Sequence, residues 1–252
     1  MAFTYQVSRQ SWRTDDAGEP TFTSARLLTA AYLSDPDAIS ASLPNGFEPG
    51  DQPLVVTFVA EYPQTNFGSV YHEAAILVSC KFRGEGGSLC LGMVVDDDVA
   101  LILGREVFGY PKKLASIELQ IESNRAHASV TRRGVQFLEI EAELSSPIEN
   151  PQMPALGPTF LVKAFPAADL TGFEWKPKVV KSSLSSKVRT FRPASKIDLA
   201  LRESELDRWA AFPVKEVLFG GLLEADMTMA PGVIAGELDE TAWLPFALAN
   251  VR

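Results

Sequence analysis

Lys112 and Lys113 stand side by side directly after Pro111 in the stretch GREVFGYPKKLASIEL, Gly104 to Leu119, an apolar run that alternates like a strand. A lysine amine can attack a ketone to give an iminium, a cation that draws electrons from the adjacent carbon and so stands in for a cofactor. It does so only as the free base. At a reference pKa of about 10.4, less than about 0.1% of an ordinary lysine is free at neutral pH, so function demands desolvation or a neighbouring positive charge. Pro111 holds the preceding residue extended and KLASIEL reads as strand, which sends the two side chains to opposite faces. At about 8 Å and an effective dielectric near 20 their repulsion is about 2 kcal/mol, or about 1.5 pKa units. Burial must supply the rest, and Val107, Phe108, Tyr110 and Leu114 offer an apolar wall. The competing reading is a pair of solvated edge-strand charges that deter sheet-to-sheet pairing.

The frame that would position these lysines is built mostly from short alternating or β-branched runs. LLTAAYL, PLVVTFVAEY, AAILVSCKF, SLCLGMVV, ALILG, SIELQIE, AHASVTRR, VQFLEIEAEL, FLVKAF, KVVK, SKIDLAL and ADMTMA are mostly parted by Gly, Pro, Asn or Asp. That pattern predicts a mainly β, antiparallel protein with few helices. DPDAISASLP carries a Ser34 or Asp35 cap and Pro36 in its first turn, and predicts one short helix ending before Pro44. ESELDRWAAF predicts a second, or a single turn of one, closed by Phe212-Pro213. The chain has 252 residues and no internal period, and SSLSS (Ser182 to Ser186) is too short to divide it. One domain over residues 1–252 is therefore expected.

Composition narrows the partner. With 23 basic against 32 acidic residues the net charge is −9, which argues against a nucleic-acid or anionic-membrane surface and for a small molecule. No run approaches the roughly 18 unbroken apolar residues of a membrane span, and Met1 to Tyr5 do not open a secretory leader, so a cytoplasmic site is expected. Cys80 and Cys90 flank a Gly-rich turn and could face each other across a hairpin; without an export signal they read as reduced core thiols. The two histidines, His72 and His127, lie in no cysteine or histidine cluster, and no metal site is expected.

VALILGREVFGYPKKL resembles the Schiff-base segment of the acetoacetate decarboxylase family, in which Gly-Arg-Glu is followed by Tyr-Pro-Lys-Lys-Leu. YHEAA around Glu73, PTFLVKAFP (Pro158 to Pro166), FPVKEV (Phe212 to Val217) and ADMTMAP resemble further family segments in the same order, over roughly residues 25 to 235. The resemblance implies a closed antiparallel β-barrel or cone, a homo-oligomer, and a small keto-acid substrate handled without a cofactor. It places Lys112 as the Schiff-base lysine, Lys113 as a second, charge-contributing lysine and Glu73 as a pocket carboxylate. That such a lysine is activated by desolvation or by a neighbouring cation is known of this very family and is not deduced from this chain.

Two family positions depart. The substrate-carboxylate arginine matches Ala25, with Arg26 one place later, and one residue turns a strand side chain to the other face. A second family acid matches Phe58, with Glu61 three residues on. Phe58 would dry the pocket and leave acid-base work to Glu73, Tyr110 or water. Arg105 and Glu106 read as structural partners of other strands, and Tyr71, unlike His72, shares a face with Glu73. The expected activity is lyase chemistry on a keto acid, with decarboxylation of a β-keto acid first and an aldolase-dehydratase reaction of pyruvate with an aldehyde second. The non-enzyme alternative is a β-barrel that binds a small apolar ligand.

Overall fold

The computed structural model describes residues 18–151, 157–169 and 171–251. The reading of Met1 to Tyr5 as lacking a leader lies outside them. Most of the alternating runs are strands: β1 (Thr21–Leu33), β2 (Phe47–Pro49), β3 (Leu54–Tyr62), β4 (Gln64–Thr65), β5 (Tyr71–Phe82), β6 (Glu85–Val95), β7 (Lys112–Leu114) and β8 (Ser116–Glu122). They continue as β9 (Arg125–Arg132), β10 (Val135–Leu144), β11 (Ile148–Glu149), β12 (Thr159–Lys163), β13 (Lys178–Ser182), β14 (Leu184–Leu201), β15 (Glu216–Met229) and β16 (Val233–Glu237).

The expected closed antiparallel barrel is not what forms. The described strands make one mixed sheet, in the order β16-β13-β12-β6-β5-β3-β1-β15-β14-β10-β9-β8, whose end strands do not pair. One edge of β6 takes two parallel partners in succession, β12 at Ser88 and Leu89 and β7 at Met93 to Val95. Alternation within each strand says which side chains share a face; it does not say which strands meet at the ends. The far end folds over instead. Ile117, Ala126, Ala128, Val130, Leu138 and Ile140 of β8 to β10 bury against Leu28, Val59, Ala74, Ile76 and Val94 of β1, β3, β5 and β6. Burying that surface favours packing one layer on the other over closing the edge. The 18-residue β14 joins the layers, pairing with β15 from Leu184 to Pro193 and with β10 from Ala194 to Leu201.

Helix α1 (Pro36–Ala41) forms where expected, with the Asp35 carboxylate accepting from the Asp37 N–H at 2.9 Å. The second expected helix is a single 3-10 turn, Trp209–Ala211. ALILG departs from its strand reading. It lies in helix α2 (Asp98–Leu103), capped by Asp97, which accepts from the Ala100 N–H at 2.8 Å, and α2 runs on into a π-helical segment, Gly104–Phe108. A five-residue apolar run has no period of its own, and the aspartate cap decides it. The carboxy-terminal helix α3 (Glu240–Val251) was not foreseen; Trp243 and Ala247 pack on Phe47, Phe82 and Phe160. Among the described residues no helix is long and apolar enough to cross a membrane.

Cys80 and Cys90 are buried free thiols. They do not face each other, because Cys80 pairs with Gly87 and Cys90 with Leu77.

Candidate active site

Register brings the site together. Phe58 on β3 lies opposite Ala75 on β5, Ala75 opposite Met93 on β6, and Met93 beside Lys112 on β7, so one row crosses four strands. Glu73, two residues from Ala75, shares that face and lies opposite Ala60. The Lys112 ammonium reaches across to it, with Nζ 2.8 Å from Glu73 Oε2 and both side chains less than a tenth exposed. The rings of Tyr71 and Tyr110 lie 5.3 and 5.7 Å from Nζ, within cation–π range. The Tyr110 hydroxyl is 2.9 Å from Ser182 Oγ.

The path of Lys112 depends on a glycine. A Cβ on Gly104 would stand 2.6 Å from both Lys112 Cδ and Cε and 3.1 Å from Nζ, so only a residue without a side chain leaves the lysine its course. The π-helical turn that begins there is closed by Gly109 at φ 89°, whose N–H donates to the Gly104 carbonyl. Arg105 fixes the lysine from its backbone side, donating to the Lys112 carbonyl at 2.9 Å.

Lys113 turns the other way. In register with Val94 rather than Met93, it donates to the Leu206 carbonyl at 2.9 Å and pairs with Asp207 at 3.2 Å. Arg132 holds the second oxygen of that carboxylate at 3.0 Å. Burial lowers the Lys113 pKa from its usual value; Asp207 opposes the shift, and Arg132 and Arg105 add to it. Around Glu73 the shifts run upward. Burial first, and the Glu73 charge second, hold the phenols of Tyr62 and Tyr71 and the Cys90 thiol well above their usual values. Burial likewise raises Tyr110, against its bond to Ser182. These groups stay protonated at neutral pH, which makes them hydrogen-bond donors.

Arg26 and Glu61 are brought together, but away from Lys112. They form an ion pair on the opposite face of the sheet, in a cross-strand row with Glu224, His72 and Asp96. His72 Nδ1 is 2.7 Å from Asp96 Oδ2. Phe58 lies on the lysine's face with its ring partly buried against the site. Sequence reasoning passed over Tyr62, Gly104 and the Asp207–Arg132 clamp, and read Cys90 as a core thiol without placing it near the site. Tyr62 meets Tyr71 only through the β3–β5 register, and Asp207 comes from 94 residues beyond Lys113. On the outer layer, His127, Glu139 and Glu141 also come within 4.8 Å of one another, a grouping of β9 and β10 that no sequence cluster announced.

The model of one family, acetoacetate decarboxylase, matches residues 5–238. The chain belongs to the acetoacetate decarboxylase family. It is 28% identical over 235 residues to an acetoacetate decarboxylase of Chromobacterium violaceum, covering 86% of this chain and 88% of that one. It is 26% identical over 227 residues to one of Burkholderia cenocepacia, at the same coverage of each. Among solved structures, acetoacetate decarboxylase from Legionella pneumophila superposes with a TM-score of 0.77 at 22% identity, covering 87% and 88% of the two chains. The enduracididine biosynthesis enzyme MppR complexed with pyruvate gives 0.74 at 23% identity, covering 94% and 98%. At these identities the superpositions establish a shared fold. The open mixed sheet described above is thus this chain's form of the acetoacetate decarboxylase fold.

Proposed function

We propose that the protein is a cofactor-independent lyase that decarboxylates a β-keto acid through an iminium on Lys112. Family membership supports this reading, and the observation that carries it is the buried Lys112–Glu73 pair, 2.8 Å apart on an aromatic-lined face. Glu73 takes the ammonium proton as substrate enters, and the free amine adds to the ketone with loss of water. The iminium then accepts the electron pair released as carbon dioxide leaves, giving an enamine. A proton returned to the α-carbon, from Glu73 or a donor it holds, restores an iminium that water hydrolyses to the methyl ketone and free Lys112. One proton is consumed per turnover.

Arg26 bears on which bond breaks. It is engaged by Glu61 on the far face, so a carboxylate near Lys112 would have no help from that guanidinium. A carboxylate that departs needs no permanent counter-ion, and an apolar surrounding favours the charge-dispersed transition state over the carboxylate ground state. A pyruvate-derived product would keep its carboxylate. The second reading, aldol condensation with dehydration, has its own support in the departures at Phe58 and Ala25 from the decarboxylase pattern, and in the structural neighbour MppR, solved with the condensation product of pyruvate and imidazole 4-carboxaldehyde.

Borohydride reduction in the presence of acetoacetate or pyruvate should add the mass of one reduced ketone adduct to the peptide bearing Lys112. Carbon dioxide release from acetoacetate supports the first reading; a new near-ultraviolet chromophore from pyruvate plus an aldehyde, without carbon dioxide, supports the second. No adduct with any keto acid would defeat both.

A further inference from the structure

Beside the Lys112–Glu73 pair lies a wall that a methyl ketone such as acetoacetate would leave uncovered. Glu73 is flanked on its own face by Ala60 across the strand and Ala75 two residues along, both wholly buried. Phe58 lies diagonally from Glu73, on the neighbouring strand and two positions along, a separation of about 7 to 8 Å that an aromatic side chain spans. Phe58, Leu77, Phe108 and Tyr110 are each only partly buried, and they pack on Ala75, Cys90, Met93, Leu161 and Val180. The surface that these four side chains leave open on the lysine's face of the sheet is therefore aromatic and aliphatic. Where the family pattern has an acid, Phe58 supplies a ring and removes a group that would hold water.

Resting on the Schiff-base reading above, we propose that the substrate is a β-keto acid whose ketone carbon bears a bulky apolar group, aryl or longer alkyl, and that Phe58 selects it. The group lies against Phe58 and covers the exposed parts of the rings, gaining the free energy of apolar surface removed from water. It also lines the iminium with apolar atoms on the side away from Glu73. The carboxylate leaves as carbon dioxide and never requires a guanidinium.

The test compares kcat/KM for carbon dioxide release from acetoacetate and from 3-oxo-3-phenylpropanoate, with borohydride trapping on Lys112 measured alongside for both acids. The wild-type protein should prefer the phenyl acid by at least about tenfold, the scale on which a pocket registers added apolar groups. Phe58→Ala should remove most of that preference while the lysine adduct still forms with either acid, and Phe58→Leu, which keeps an apolar wall and guards against misfolding of the smaller variant, should retain it. Equal or better turnover of acetoacetate, with adducts forming normally, overturns the substrate assignment and leaves the lyase reading standing. A phenyl preference unchanged in Phe58→Ala overturns the role of Phe58. Loss of adduct with every acid overturns the lyase reading and this one with it.

Discussion

At the scale of single residues, the two adjacent lysines have separate work because a strand sends neighbours to opposite faces. Lys112 meets Glu73 within the site, and Lys113 meets Asp207 and Arg132 in the interface between the layers. Asp207 and Arg132 keep their charges when Lys113 is replaced, so that replacement reads the Lys113–Lys112 repulsion itself, for which about 2 kcal/mol is an upper bound. Replacing Lys113 by methionine should shift the acid limb of the pH–rate profile by no more than about 1.5 units, towards higher pH, because a neighbouring cation favours the free amine. Full pH profiles of wild type and variant measure this. A variant that folds but is inactive at every pH would give Lys113 a direct part in the chemistry.

At the scale of elements, the turn that joins α2 to β7 decides whether the lysine can reach its partner. Gly104 opens the π-helical segment against the lysine side chain, and Gly109 ends it in the left-handed region. The backbone at Gly104 is ordinary helix, φ −63°, so alanine there strains no dihedral and adds only a methyl where Lys112 must pass. Gly104→Ala is expected to lower kcat and the rate of borohydride trapping by at least about tenfold, since misplacing a reacting group by about 1 Å can cost about a hundredfold. Thermal denaturation should show a much smaller effect. A variant with a collapsed melting temperature and normal trapping per folded molecule would assign the glycine to folding alone. The misread run ALILG belongs to this scale too. Its five apolar residues fit a strand as well as a helix, and the Asp97 cap, outside the run, settled the matter.

At the scale of the whole molecule, the two cysteines report on the core. Burial pushes the Cys80 thiol up to about 12 and raises Cys90 further from its usual range, with Glu73 adding to the latter. A thiol whose pKa is higher in the folded than in the unfolded chain contributes its full share of stability below the unfolded value, about 8.5, and loses it as pH rises towards the folded value. The buried phenols of Tyr62, Tyr71 and Tyr110 follow the same sign from about pH 10. Urea midpoints should therefore fall between pH 8 and pH 10.5. In the native protein both thiols should resist a disulfide reagent at pH 8, and both should react once urea unfolds it. Rapid native labelling of either would show that the core opens locally.

What the sequence determined by itself was local. Alternation marked most of the strands, Asp35 and Pro36 marked α1, and the order of motifs around Glu73 and Lys112 carried the family. These follow from chain neighbours, whose relative directions the backbone fixes. Tertiary structure decided the rest. That β8 to β10 would fold over β1, β3, β5 and β6 rather than close a barrel depends on which buried faces meet, and alternation is blind to that. Arg26 and Glu61, 35 residues apart along the chain, are paired by the register of β1 on β3, and one position in that register separates the far face from the site. Asp207 reaches Lys113 because Leu206 and Asp207 precede the turn at Trp209, which itself packs against Gly92 on β6. Such partners are chosen by packing between distant segments, and no spacing along the chain encodes them.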